Sequence, residues 1–184
     1  MSYLTKSIDF VDTTFGVKRP HFDRTLYWVK YLKPDADEAL QIAAYCHDVE
    51  RGFNLNRQRR LMYDTEEELT NHQIRSSKIM YDFLIKNGAP EELAKKVRNL
   101  ILKHETGGTD EQNTLNDSDS ISYLEVNALR NLSLIDILPE GEVGRKFDLS
   151  FKRIISEEAK IIAQPMYKKA KEMLKIAERD QNGR

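Results

Sequence analysis

Four histidines are the residues of this 184-residue chain best suited to carry chemistry. Each one joins apolar residues at intervals of three, four or seven, which is the repeat of one face of a helix. These residues are His21, His47, His72 and His104. A single inward histidine is often a hydrogen-bonded core residue, but four in one chain favour a shared site.

Carboxylates extend this pattern of inward polar residues. Asp48 directly follows His47, and Asp117 shares a helical face with Ile121 and Leu124. A buried ionised carboxylate is costly unless it is paired, hydrogen-bonded or bound to a cation. Imidazole and carboxylate ligands suit a divalent Mn, Fe, Co, Ni, Mg or Zn ion, and the single cysteine, Cys46, excludes a cysteine-cluster zinc site.

Helices must position these residues, because the apolar pattern has a helical period almost throughout and shows no strong strand signal. The sequence predicts an all-α, single-domain helical bundle over 1–184, with about six to eight helices. The predicted helices cover about 21–32, 35–48, 66–88, 90–105, 117–137 and 147–179, the last with a kink or restart at Pro165. The polar segments 51–65 and 106–116 are predicted loops that select the substrate, and the first of them is rich in arginine.

The charge balance narrows the possible partners. Lys and Arg number 29 against 30 Asp and Glu, so no bulk positive charge is available to bind nucleic acid or an anionic membrane. No apolar stretch approaches the roughly 20 residues that span a bilayer, and the first residues lack the pattern of a signal peptide. We therefore expect a cytoplasmic protein whose partner is a small phosphorylated molecule, with no membrane or nucleic-acid partner. The oligomeric state stays open.

The order of five motifs resembles the HD-domain superfamily of metal-dependent phosphohydrolases, and in particular its small single-domain members. The motifs span about residues 19–129 and are His21, AAYCHD with His47 and Asp48, NHQIRSS with His72, LILKHE with His104, and NDSDSISYLE with Asp117. The resemblance implies an all-α bundle of the HD type, to which the helices of about 147–179 add C-terminal packing.

The same resemblance implies a set of metal ligands. It implies that one metal ion is held by four residues: His21, His47, Asp48 and Asp117. His72 and His104 would hold a second metal ion or the substrate phosphate. Asp119 is an alternative to Asp117, since NDSDS contains two aspartates, but the helical face shared with Ile121 favours Asp117.

These residues predict a metal-dependent phosphohydrolase that acts on a small phosphate ester, with a nucleotide as the favoured substrate. A divalent cation lowers the pKa of a bound water towards roughly 7, which supplies the attacking hydroxide at neutral pH. Asp48, His72 and His104 are predicted to act at the reacting phosphate, and Glu50 is a candidate general acid or base.

Local basic residues must bind the phosphate, because the whole chain offers no positive field. The candidates are Arg51, Arg75 and Lys103, and an ordinary solvated surface position is the alternative for each. Two other functions fit the same residues: a dinuclear iron oxygenase on this fold, and a non-catalytic module that binds a nucleotide or transmits a signal.

Overall fold

The computed structural model describes residues 1–53 and 66–182, and within these ranges all regular secondary structure is helical. This confirms the predicted all-α fold. The helices are α1 (Tyr3–Phe15), α2 (Pro20–Leu32), α3 (Glu38–Cys46), α4 (Glu50–Phe53), α5 (Glu66–Lys86), α6 (Glu91–Ile101), α7 (Asp110–Ser122), α8 (Ala128–Asn131), α9 (Glu142–Lys152) and α10 (Glu157–Asn182). A π-helical turn, Tyr123–Asn127, joins α7 to α8, and a 3₁₀ turn, Leu132–Leu134, follows α8.

Helices α2, α3, α5 and α6 lie close to their predicted positions because local signals fix their ends. Pro20 occupies the first turn of α2, where its missing N–H costs nothing. The Asp37 side chain caps α3 by accepting a hydrogen bond from the Leu40 N–H. Gly88 follows α5 with a φ of 78°, the left-handed conformation that commonly ends a helix.

The predicted loop at 106–116 is wrong over most of its length, because α7 begins at Asp110. Thr109 forms a capping box, in which its hydroxyl accepts from the Gln112 N–H and the Gln112 side chain accepts from the Thr109 N–H. This local motif starts a helix although the composition of the segment is polar. Arg51 lies in α4 rather than in a loop, and the remainder of the predicted loop, 54–65, lies outside the described residues.

The two ends of the chain also differ from prediction. Helix α1 was not predicted from the sequence, although Ser2 caps it and Val11 is fully buried. The C-terminal region begins at Glu142 and breaks at 153–156, whereas α10 continues through Pro165 without a restart. Of the two alternatives predicted at Pro165, a kink or a restart, the restart is therefore wrong.

Two apolar clusters hold the helices together. The first includes Leu40, Met80 and Val97, and it lies among α1, α2, α3, α5 and α6. The second includes Ile121 and Phe147, and it joins α7 and α8 to α9 and α10. Helices α2 and α7 contribute to both clusters and pack against each other, which places their polar residues between the clusters. Among the described helices, none is long and apolar enough to cross a membrane.

Candidate metal centre

Helices α2 and α7 bring His21 next to Asp119. The Ser122 hydroxyl donates its hydrogen bond to the His21 carbonyl oxygen at 2.8 Å, and its oxygen lies 2.8 Å from His21 Nδ1. Because the hydroxyl proton is already used, this oxygen accepts from an Nδ1–H group, which leaves a lone pair on His21 Nε2. That Nε2 lies 3.0 Å from Asp119 Oδ1.

His47 and Asp48 stand where α3 ends and present two different ligand atoms to the same space. The Nδ1 atom of His47 lies 3.0 Å from the Ala44 carbonyl oxygen, to which it donates, so its Nε2 carries the lone pair. This Nε2 lies 3.3 Å from Asp119 Oδ1. Asp48 Oδ1 lies 3.2 Å from His72 Nε2, and Asp48 Oδ2 lies 2.9 Å from Arg51 Nε.

His72 of α5 and His104, which follows α6, meet through their Nε2 atoms at 3.1 Å. His104 Nδ1 donates to the Ile101 carbonyl at 2.8 Å, and His72 Nδ1 faces the Glu50 carboxylate at 3.6 Å. In the tautomers that carry the proton on Nδ1 of both rings, two Nε2 lone pairs point at each other, which is unfavourable without a proton or cation between them. A divalent cation held by both rings would remove this repulsion.

The arrangement therefore fits metal ions through its donor set. Among the described residues, the ligand atoms of three groups lie within 4.8 Å of one another: His21, His47 and Asp48; Asp48, His72 and His104; and His104, Glu105 and Asp119. Asp48 belongs to two of these groups, so its carboxylate would be available to two ions. The outward hydrogen bonds of His21, His47 and His104 provide the orientation that metal-ligating imidazoles require.

Burial and neighbouring charge set the protonation of the centre. Burial alone would raise the pKa of Asp48, but Arg51 and His72 hold it well below its usual range. Burial would also raise the pKa of Asp119, and His47 and His21 hold it far below that range. Both carboxylates are therefore ionised at neutral pH and can bind a cation.

The histidines differ in their electrostatic surroundings. Burial lowers the pKa values of His72 and His104 to about 4, so both imidazoles are neutral and able to act as ligands at pH 7. Burial also acts to lower the pKa of His47, but the negative charges of Asp119 and Asp48 raise it overall. The field at His47 Nε2 therefore favours a positive charge, which a metal ion can supply.

Comparison with known families adds to this geometry. Residues 13–133 match the family model of a domain of unknown function, DUF4202. The chain belongs to the DUF4202 family. No curated protein matched the chain.

A solved structure resembles this DUF4202 member over most of its length. It is the crystal structure, at 1.45 Å resolution, of a predicted HD superfamily hydrolase from an uncultured Thermotogales bacterium. The TM-score is 0.57 at 17% sequence identity, and the likeness covers 97% of this chain and 93% of that chain. At this identity the likeness shows the fold, and it confirms the predicted bundle of the HD type.

Asp117, which the sequence analysis favoured as a ligand, is not brought to the histidines. Its Oδ1 accepts from the Ile155 N–H at 2.6 Å and its Oδ2 from the Ser156 N–H at 3.0 Å, just before α10. Asp119 lies with His21 and His47 instead. The helical pattern does not separate the two aspartates, because α7 is covered on all sides from Leu115 to Ser122. In this DUF4202 member, Asp119 therefore replaces Asp117 in the candidate centre.

The proposed phosphate-binding residues fall in three different places. Arg51 contacts Asp48 and lines the cavity above the centre. Arg75 pairs with Glu50 at 3.1 Å and with Glu68 at 2.7 Å. Lys103 is exposed and lies outside the described lining of that cavity. Of the three, the structure brings only Arg51 to the centre.

Glu50, the candidate acid or base, is buried beside His72. Burial acts to raise its pKa, but the neighbouring His72 imidazole and the hydrogen bond from Arg75 lower the pKa below its usual value. An ionised Glu50 accepts protons rather than donates them, and its carboxylate faces His72 Nδ1 at the back of the imidazole ring.

Two further residues of the centre were missed by the sequence analysis. Glu105 Oε1 lies 3.5 Å from His104 Nε2 and 3.8 Å from His72 Nε2. Arg153 donates to Glu105, to Asp119 Oδ2 at 2.5 Å and to Ser120 at 2.7 Å. Glu105 directly follows the predicted ligand His104, and this adjacency is a signal that could have identified it. Arg153 lies in the unpredicted break between α9 and α10, and no motif marks it.

A cavity of about 650 Å³ opens onto this centre. Its lining combines the centre residues His21, Asp48, Glu105 and Asp119 with basic residues, which are Arg19, Arg51, Arg130, Lys146 and Arg153. Carboxylates at the base of the cavity suit cations, and the surrounding basic side chains suit an anionic ligand. The lining therefore combines groups that suit a cation with groups that suit an anion.

Proposed function

We propose that this chain is a metal-dependent phosphohydrolase of the HD type that acts on a small phosphate ester, with a nucleotide as the favoured substrate. One observation carries the proposal: histidine Nε2 atoms and the oxygens of Asp48 and Asp119 converge at 3.0 to 3.3 Å. The predicted hydrolase of similar fold supports it further. The basic lining of the cavity supports an anionic substrate.

The chain offers ligands for two ions. His21, His47 and Asp119 would hold one ion, and His72 and His104 would hold the other, with Asp48 shared between them. Bound divalent cations supply Lewis acidity to phosphoryl oxygens and lower the pKa of coordinated water. The identity of the metal follows from measurement, since Mn, Fe, Co, Ni, Mg and Zn all accept nitrogen and oxygen ligands.

The protein's own groups prepare this chemistry. Outward hydrogen bonds from three Nδ1 atoms hold the rings so that Nε2 faces the centre. Arg153 binds Oδ2 of Asp119 and leaves Oδ1 towards His21 and His47. Arg51 lies beside Asp48 at the cavity wall, where its guanidinium can bind the equatorial oxygens of a phosphate.

The proposal is tested by metal analysis together with phosphate release. The purified chain is loaded separately with each of the six metals and assayed on a panel of nucleotides and other phosphate esters. We expect at least one metal to support release, and the double variant His47→Ala/Asp48→Ala to lower kcat/KM at least about 100-fold. The exposed, paired Asp82→Ala variant is the control, because it also removes a carboxylate but lies away from the cavity lining.

The alternatives give different results in the same assays. Absence of phosphate release from every substrate with every metal would refute the hydrolase. Two irons per chain with oxygen consumption would indicate an oxygenase. A nucleotide affinity that survives His47→Ala/Asp48→Ala, without turnover by the parent protein, would indicate a binding module.

A further inference from the structure

The cavity above the centre is larger than one phosphate requires. A volume of about 650 Å³ lies within the range of pockets that hold whole small molecules, roughly 300 to 1,000 Å³. The centre occupies only one part of the lining, which continues to Leu134 and Ser133 along one side and to Lys146 along the other. The residues away from the centre therefore determine what the rest of the substrate can be.

One side of the cavity is a continuous helical face that starts at the centre. Its lining residues begin at Asp119 and continue at intervals of four through Tyr123 and Asn127, and Arg130 and Asn131 follow three and four residues after Asn127. Helix α7, the π-helical turn and α8 follow one another without a break, and such π turns are frequent at functional sites. At 1.5 Å per residue, Arg130 lies about 16 Å along the axis from Asp119.

The other side is formed by α9 and by Arg153, which directly follows it. Lys146, Leu149, Ser150 and Arg153 line the cavity at the spacing of one helical face. Arg153 contacts Asp119, so this end of the face lies at the centre. Lys146 lies seven residues earlier, which is about 10 Å along the helix axis. The far ends of both faces thus carry a basic residue, Arg130 on one and Lys146 on the other.

Charge distinguishes the far end from the centre. Arg51 and Arg153 contact the carboxylates of Asp48 and Asp119 and belong to the centre. Among the described lining residues from 127 to 150, none is acidic. The polar residues there are Asn127, Arg130, Asn131, Ser133, Lys146 and Ser150. Two cations with amide and hydroxyl groups form the chemistry that binds a phosphate or carboxylate.

We propose that the far end of this cavity binds a second anionic group of the substrate, and that Arg130 and Lys146 provide its positive charge. The inference rests on the proposed function, since the centre must bind the first phosphate. The substrate class is then a phosphate ester with another phosphate at a distance from the reacting one. A compound with a single phosphate leaves the far end without its anion.

The test compares adenosine 5′-monophosphate with adenosine 3′,5′-bisphosphate on the metal-loaded protein. Affinity is measured by calorimetry, and free phosphate is measured in the same samples. We expect the bisphosphate to bind at least about tenfold more tightly, and Arg130→Ala/Lys146→Ala to reduce this advantage to about twofold or less. Lys152→Ala/Lys168→Ala removes the same charge from exposed positions outside the described lining, and it should keep the advantage.

The outcomes separate this inference from the function on which it rests. Equal affinities in the parent protein, or an advantage that persists in Arg130→Ala/Lys146→Ala, would overturn the second anion site. An advantage equally lost in Lys152→Ala/Lys168→Ala would assign it to net charge and also overturn the site. A third result is that the bisphosphate loses its affinity advantage only in Arg130→Ala/Lys146→Ala while no metal and no substrate gives phosphate release. That result would support the second anion site and refute the hydrolase.

Discussion

At the scale of single residues, the candidate centre depends on which atom each side chain turns inward. Three histidines use Nδ1 for a carbonyl or hydroxyl oxygen and so present Nε2 to the carboxylates. Asp119 likewise divides its oxygens, with Oδ2 on Arg153 and Oδ1 towards His21 and His47. These second contacts fix the geometry before any ligand binds, which reduces the cost of forming the site.

Asp117 and Asp119 should have separable roles although they are two residues apart. Asp119→Ala removes a proposed ligand, so metal content should fall, whereas Asp117→Ala removes two backbone hydrogen bonds and should lower the free energy of unfolding by about 1–3 kcal/mol. Metal analysis and urea denaturation measure the two effects. Loss of metal in Asp117→Ala with full retention in Asp119→Ala would reverse our assignment.

Cys46 should be chemically inert in the native protein. Its side chain is fully buried, and burial raises the pKa of the thiol far above its ordinary value, so little thiolate is available. We expect a disulfide reagent that reports free thiols to react slowly with the native chain and to label one thiol per chain in denaturant. Rapid labelling of the native protein would show that the first apolar cluster opens easily.

At the scale of elements, sequence reasoning succeeded where local signals and apolar periodicity agree. Asp37 and Gly88 mark helix ends that the structure retains. The four histidines were placed inward because their helices carry a clear apolar face, and all four are buried.

The remaining elements depend on contacts that periodicity does not encode. Helix α7 is polar in sequence but buried over most of its length, so its period could not reveal which aspartate faces the histidines. Arg153 reaches Asp119 across 34 residues because the chain breaks between α9 and α10. Such tertiary contacts, and the capping box at Thr109, decide the parts of the site that the sequence left open.

Pro165 gives an element-scale prediction. It lies inside α10 without interrupting it, so it lacks one helical hydrogen bond and crowds the preceding turn. We expect Pro165→Ala to raise the free energy of unfolding by about 1–3 kcal/mol. Part of this gain is offset, because proline also restricts the unfolded chain and the substitution removes that restriction. Urea denaturation measures the change, with exposed Lys168→Ala as a near-neutral control in the same helix. Destabilisation by Pro165→Ala would indicate that the backbone geometry set by Pro165 is required for packing on the second cluster.

At the scale of the whole molecule, the centre joins parts of the chain that the two apolar clusters hold separately. Its proposed ligands come from α2, from the residues after α3 and α6, from α5 and from α7. Helix α7 contributes Leu115 to the first cluster and Ile121 to the second, and Asp119 lies between them. A bound ion would therefore link both clusters through one site.

Metal removal should accordingly change the stability of the whole fold rather than of one helix. A ligand that binds only the folded state stabilises it by RT ln(1 + [L]/Kd), which is about 2.7 kcal/mol at 100 times Kd. We expect chelation to lower Tm by several degrees, and reloading to restore it. Asp119→Ala should show a smaller chelator-induced shift than the parent protein, because it removes a ligand of only one of the two proposed ions. Asp117→Ala should keep the full shift at a lower overall Tm. If neither the chelator nor added metal changes the Tm of the parent protein, this result would contradict a metal centre that links the two clusters.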